Sequence, residues 1–292
     1  NQSVLSYTLH SKRMENCMRI FFAAVALATI LAHGPALAQK TAPDRCLALA
    51  QLAPPAPLLH RARLQLAALK PYQVRVTYNG HSTFTIETPK GVTVTTDYND
   101  YVRPTITPTI ATMNGAHDTH HSYAPDKAIK HVLRGWHQDG NGAAAIHDLT
   151  ELDIRVRNVP TNIRSSFTGT ASSQFGNSIF IFEVGGLCMA HLGHLHHTLT
   201  TQHLAQIGQM DVVFVPVDGS YTLDTPGMLE VLKAMKPRII VPMHWFSGFS
   251  LEAFIAASKN EYEVVRNPTS TIVFARDQMP DKPRMLILPP GG

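Results

Sequence analysis

From Gln73 the chain alternates apolar and polar positions with a period of two. Val74, Val76 and Tyr78 stand between Arg75 and Thr77, Phe84 and Ile86 stand among threonines, and Val92 and Val94 follow. Asn79-Gly80 and Pro89-Lys90-Gly91 separate these runs, so the pattern predicts an antiparallel meander. The stretch from Tyr98 to Arg164 is poorer in pattern. It holds the apolar run Ile110-Ala111-Thr112-Met113, a segment His131 to Gly142 with Trp136, and a strand ending at Val159-Pro160. Ile179 to Val184 and Leu187 to Leu192 predict a hairpin across Gly185-Gly186. Beyond it strand and helix alternate. A helix from about Thr200 to Ile207 precedes a strand Val212 to Val217, and a helix Pro226 to Met235, capped by Thr225, precedes a strand Arg238 to Val241. A helix near Leu251 to Ser258 and strands near Thr271 to Phe274 and Met285 to Leu288 close the chain. The fold class expected is α/β, two sheets faced by helices.

Residues ahead of the meander follow another rule. Arg19 precedes an apolar stretch of 13 residues, Ile20 to Ala32, and Ala36-Leu37-Ala38 is a small-x-small site. The combination predicts a secretory signal cleaved before Gln39, the stretch being shorter than the ~20 residues that span a bilayer. Residues 1–38 are thus expected to be upstream residues plus signal, 39–72 a tether with Pro54-Pro55-Ala56-Pro57 and a packing helix Leu58 to Leu69, and 73–292 the main domain. Export implies a periplasmic or secreted protein with no stable membrane association after cleavage. It also permits a disulfide between Cys46 and Cys188, which the spacing does not demand.

With 44% hydrophobic and 16% charged residues, 292 positions can build a substantial core. The net charge is +4, half of it from Lys12, Arg13 and Arg19 against Glu15. So mild an excess, without basic runs, gives no argument for nucleic acid. A P-loop, a G-x-G-x-x-G fingerprint and a G-x-S-x-G elbow are missing.

Candidate chemistry lies in the histidines. His191-Leu192-Gly193-His194-Leu195-His196-His197 follows the apolar run Leu187 to Ala190, His117-Asp118-Thr119-His120-His121 follows Ile110 to Met113, and His244 closes Ile239 to Met243. Strand ends on one edge of an α/β sheet share a crevice, and imidazole is a borderline ligand, neutral near pH 7. A metal site is therefore expected at His117, His120, His191, His194 and His244. His121, His196 and His197 are weaker candidates, because adjacent residues point in different directions. His81, at a tight turn, is expected to make a structural hydrogen bond near the mouth.

The order of motifs resembles the metallo-β-lactamase fold, and within it hydrolases related to ascorbate-6-phosphate lactonase. Tyr78-Asn79-Gly80-His81-Ser82-Thr83-Phe84 with Val94-Thr95-Thr96-Asp97 is similar to an early strand pair of that family. His191 to His197 resembles its H-x-G-D-x-x-H segment, and Asp211 to Val217, Tyr221-Thr222, Lys236-Pro237 and Pro242-Met243-His244 match its closing block. The resemblance implies a four-layer αββα sandwich of two mixed sheets. Its ligand motif, H-x-H-x-D-H, aligns here with Gly115-Ala116-His117-Asp118-Thr119-His120, so the first His is Gly115 and the Asp is Thr119. The family's bridging Asp is His194. The implied site carries less negative charge and softer ligands.

The function expected is that of an exported hydrolase using zinc, as one or two ions, with manganese or iron as alternatives. A metal-activated water would attack an ester, lactone or phosphodiester bond of a small molecule, with Asp118 and His194 moving protons. The alternative is a non-catalytic periplasmic protein that keeps the old pocket to bind metal or a ligand. Substrate and oligomeric state are left open by the chain.

Overall fold

The protein is represented by a computed structural model that describes residue 46 and residues 68–137, 142–164 and 172–291. The expected signal, and the tether as far as residue 67 apart from Cys46, lie outside the described residues.

Two mixed sheets pack face to face. The first has six strands in the order β13-β1-β2-β3-β4-β5 and the second eight in the order β12-β14-β11-β10-β9-β8-β7-β6. In the first, β1 (Gln73–Gly80), β2 (Thr83–Glu87) and β3 (Thr93–Thr95) form the expected antiparallel meander, and β4 (Ile110–Met113) and β5 (His131–Arg134) join in parallel. β13 (Thr271–Ala275) closes the edge beside β1. The inward residues Val74, Val76, Phe84 and Ile86 meet Phe180, Phe182, Phe214 and Val241 of the second sheet in one buried core, where apolar burial gives about 25 cal/mol per Å².

The second sheet is antiparallel at one end and parallel at the other. β6 (Asp148–Glu151), β7 (Ile154–Arg164), β8 (Ser172–Val184) and β9 (Leu187–His191) run up and down, and then β9, β10 (Val212–Pro216), β11 (Ile239–Met243), β14 (Arg284–Ile287) and β12 (Glu263–Arg266) are parallel neighbours. The described helices α1 (Thr201–Ile207), α2 (Thr225–Met235) and α3 (Gly248–Ser258) bury Ile207, Met228, Leu232, Leu251 and Phe254 against its outer face. None of the described helices is long and apolar enough to cross a membrane.

Local differences from expectation have local reasons. α2 is capped by Asp224, whose side chain accepts from the Gly227 N–H, with Thr225 already helical. β7 and β8 run well past the predicted hairpin, pairing through Pro160 and Ser178 to Arg164 and Ser172 with a bulge between Thr161 and Ile163. Polar residues along them are buried and hydrogen bonded: Asn158 donates to the Ala145 carbonyl and Ser178, Ser178 to the Gly135 carbonyl, and Asn177 to Thr161 and to the Leu192 carbonyl beside the crevice. Cys46 and Cys188 are joined by a disulfide across 142 residues of sequence, which ties Cys46 to the start of β9.

Candidate metal centre

Parallel strands end on one side of the second sheet, and there the chain breaks from strand geometry. His81, Asp97 and His244 have φ of 53°, 41° and 55°, left-handed values that cost a non-glycine residue about 1 kcal/mol or more and concentrate at functional sites. Each lies at the end of a strand or in a strand-to-strand turn, and the His244 N–H donates to the His81 carbonyl at 2.7 Å. Gly193 has φ 59°, and a Cβ there would meet Asn177 Oδ1 at 2.4 Å and Asn114 Nδ2 at 2.5 Å. Only glycine lets the backbone turn at that point, and the next residue, His194, swings into the crevice with its N–H bonded to Asn177 Oδ1 at 2.7 Å.

Four imidazoles converge. One nitrogen from each of His117, His120, His194 and His244 lies within 4.8 Å of the others. His117 Nε2 is 3.0 Å from His194 Nε2, and His120 Nε2 is 3.2 Å from His244 Nε2. His120 and His244 are fully buried and His194 nearly so, while His117 lies on the solvent side.

Behind the rings stand groups that orient them. His120 Nδ1 is 2.5 Å from Asp97 Oδ2, and Asp97 Oδ1 accepts from Asn114 Nδ2 at 2.9 Å. His244 Nδ1 donates to Asp218 Oδ2 at 2.9 Å. Desolvation pushes the Asp218 carboxyl up, but hydrogen bonds from His244 and Thr222 outweigh it and hold it well below the usual carboxylate range. Burial, then the neighbouring His244 and His81, drives His120 far below an ordinary histidine, and burial first also lowers His117, His191 and His194. Burial raises Asp97, countered only in part by His191 and by hydrogen bonds from Asn114 and Ser82. Burial thus favours the neutral form of His117, His120 and His194, the state that binds metal.

The donor set fits an ion of the zinc class. With Nδ1–H groups directed at Asp97 and Asp218, the lone pairs of His120 and His244 face each other at 3.2 Å, a repulsion that a shared cation relieves. Nitrogens bound tetrahedrally to zinc at 2.0–2.1 Å lie ~3.3 Å apart. A carboxylate behind a ligating imidazole is the usual supporting shell. Beside the cluster, His81 Nε2 is a buried nitrogen without a hydrogen-bond partner, its ring 4.3 Å from that of His244. Its Nδ1 is 3.1 Å from Ser82 Oγ, as a structural role requires.

His191 is outside the cluster, contrary to expectation. It is still in β9, paired with Phe180 and Phe214, so its ring is packed between the sheets. Nε2 donates to the Ser82 carbonyl at 2.8 Å and Nδ1 accepts from the Gly193 N–H at 3.2 Å; both ring nitrogens are used by the backbone. Asp118 also stays out of the cluster. Its Oδ2 accepts from the Tyr101 hydroxyl at 2.7 Å. His121 donates to the Asn114 carbonyl, and His197 bonds the Thr198 carbonyl and the Asn162 N–H.

The substituted motif positions are accommodated physically. A Cβ at Gly115 would lie 2.8 Å from Trp136 Cγ and 3.0 Å from the Gly176 carbonyl, so the indole fills the space a longer side chain would need. Thr119 Oγ1 lies 2.7 Å from His117 Nδ1 and steadies that ring where the family motif has a carboxylate. Trp136 and Gly176 also line a cavity of about 310 Å³ with His137, Gly142 and Ala143.

Residues 75–244 match the beta-lactamase superfamily domain, and the chain belongs to that superfamily. It is 30% identical over 109 residues to a metal-dependent hydrolase of Carboxydothermus hydrogenoformans, covering 37% of this chain and 46% of that protein. A metal-dependent hydrolase of Thermoplasma acidophilum is 28% identical over 121 residues, 41% of this chain and 50% of its own. These matches span about half the length of either relative. A solved structure of a metallo-beta-lactamase superfamily protein from Thermotoga maritima superposes with a TM-score of 0.54, at 24% identity, over 74% of this chain and 98% of that one. That likeness shows the sandwich fold.

Proposed function

We propose that the protein is an exported hydrolase that uses one divalent ion, zinc in the first instance, bound in the crevice where His117, His120, His194 and His244 meet. The observation that carries this reading is the meeting of four imidazole nitrogens within 4.8 Å, two of the rings backed by Asp97 and Asp218. The names of the relatives in Carboxydothermus and Thermoplasma agree with it. When bound, such an ion supplies an acidified water and polarises the bond under attack.

The residues supply the rest. Asp218 and Asp97 fix the rings of His244 and His120 and compensate positive charge delivered to the buried crevice. Phe246 and Tyr221, 60% and 66% exposed, stack edge to face at 5.4 Å, and the Phe246 ring is 5.0 Å from His244. These aromatic faces would pack an apolar portion of the substrate beside the centre. Arg164, a cation at this rim, is committed to the Ser220 and Thr222 carbonyls. Ester and lactone substrates with an apolar substituent are therefore favoured over a phosphodiester.

The Cys46–Cys188 disulfide supports export, because such bonds persist in oxidising compartments. One observation favours the alternative, a binding protein without turnover: none of the four clustered donors is a carboxylate. Zinc-loaded protein assayed against aryl and alkyl esters, lactones and a phosphodiester separates the two. Turnover of an ester or lactone that a chelator abolishes supports the hydrolase. Metal retention with no turnover across the panel supports the binding protein.

A further inference from the structure

Hydrogen-bond direction sorts the four imidazoles. The Arg164 backbone N–H donates to His196 Nδ1 at 2.7 Å. That nitrogen is thus an acceptor, and His196 carries its proton on Nε2. His196 Nε2 is 2.5 Å from His194 Nδ1, so it donates there, and His194 must carry its own proton on Nε2. His194 Nε2 points at His117 Nε2, 3.0 Å away, which accepts, leaving His117 Nδ1–H to donate to Thr119 Oγ1 at 2.7 Å. Neither His194 nor His196 has room for a second proton in this chain of bonds. Both rings are neutral, with fixed tautomers.

His120 and His244 are the reverse case. Their Nδ1 atoms face carboxylates, so Nε2 is the lone pair. The cluster therefore offers three acceptor nitrogens, on His117, His120 and His244, and one N–H, on His194.

We propose that His194 is a hydrogen-bond donor of the site and not a metal ligand, held in its Nε2–H form by His196, which the Arg164 backbone fixes in turn. This rests on the metal-centre reading above. Ligation by His194 would require its Nε2 proton to move to Nδ1, where it would confront the His196 N–H, and His196 in turn would have to give up its bond to Arg164. His120 and His244 face no such conflict, and His117 would exchange only the His194 N–H for the ion at Nε2, keeping its own proton on Nδ1 toward Thr119. Three imidazoles and an open position are the pattern of catalytic zinc sites. The His194 N–H is then a donor placed to serve an oxygen of the substrate, and His196 a positioning residue that keeps the proton on the right nitrogen.

The test has two arms. In metal-free, ¹⁵N-histidine-labelled protein at about pH 8, two-bond nitrogen–proton spectra report each tautomer. Nε2–H is expected for His194 and His196 and Nδ1–H for His117, His120 and His244, with His196→Ala moving His194 toward a mixture. Zinc competition against a chromogenic chelator forms the second arm. His120→Ala and His244→Ala should lose affinity by roughly a hundredfold or more, while His194→Ala and His194→Gln keep that of the parent. An Nδ1–H signal for His194, or a zinc loss in His194→Gln equal to that in His244→Ala, overturns the proposal. If the parent protein binds no zinc, the metal-centre reading fails, and the tautomer spectrum still decides the assignment of His194.

Discussion

His120 and His244, 124 residues apart in sequence, bring their Nε2 atoms to 3.2 Å, each ring backed through Nδ1 by its own carboxylate. Asp97 stands behind one and Asp218 behind the other. A short 3-10 turn, Asp118–His120, following β4 of one sheet, and the end of β11 in the other thus present opposed lone pairs in a buried crevice, and that opposition defines the site.

Asp218→Asn tests the backing directly. The amide keeps the size of the side chain but offers His244 a neutral acceptor and weakens the anchoring of Ser220 and Thr222, whose N–H groups the carboxylate holds. Zinc affinity should fall by about 10- to 100-fold, read by chelator competition. Affinity equal to that of the parent would remove Asp218 from the site.

Acid should destabilise the metal-free protein. Desolvation, then His244, lowers His81 from 6.5 to about 4, and desolvation, then Arg164, lowers His196 from 6.5 to about 4. A histidine with a depressed folded-state pKa binds more protons unfolded than folded, so its stabilising contribution is whole above the unfolded pKa and is lost as pH falls through the folded one. With chelator present, Tm should hold above about pH 6.5 and drop by several degrees toward pH 4. A flat Tm across that window would contradict the burial of these rings.

Gly115→Ala should be destabilising although the residue is small and its backbone unstrained. The added methyl meets Trp136 at 2.8 Å, and overpacking of this kind costs about 1–3 kcal/mol. Thermal melts of Gly115→Ala, Trp136→Leu and the double variant check it. A smaller indole replacement should relieve the clash, so the two effects should fall short of additive.

Reduction of the disulfide should lower stability. Cys46 and Cys188 close a long loop, and such a link is worth about 2–4 kcal/mol. Dithiothreitol should lower Tm in the parent and leave the Cys46→Ala, Cys188→Ala double variant unmoved.

The meander and the alternating strand–helix half were legible because apolar residues at period two, or in buried runs such as Val212 to Val217, leave few alternatives. The parts of β7 beyond Pro160 and of β8 ahead of Ile179 were not legible because Asn162 and Asn177 are poor strand formers, and long-range pairing overrides that propensity. Three strand ends bearing histidine pointed to the crevice. Both His191 and His194 were expected at the metal site; that only His194 reaches the cluster depends on where β9 stops, which Gly193 decides through a turn that pattern alone does not locate. Asp97 and Asp218 left a faint signal as single acidic residues directly after apolar strands, and only the register of those strands turns them toward His120 and His244. The Cys46–Cys188 link was undetermined because spacing says nothing of proximity.

Metal content of the purified parent chain, measured by inductively coupled plasma mass spectrometry beside His120→Ala and His244→Ala, tests the central claim. One zinc-class ion per chain in the parent, lost from both variants while their far-ultraviolet dichroism is unchanged, is the predicted result. A parent free of metal after gentle purification and zinc addition, or variants that keep the ion, would contradict it.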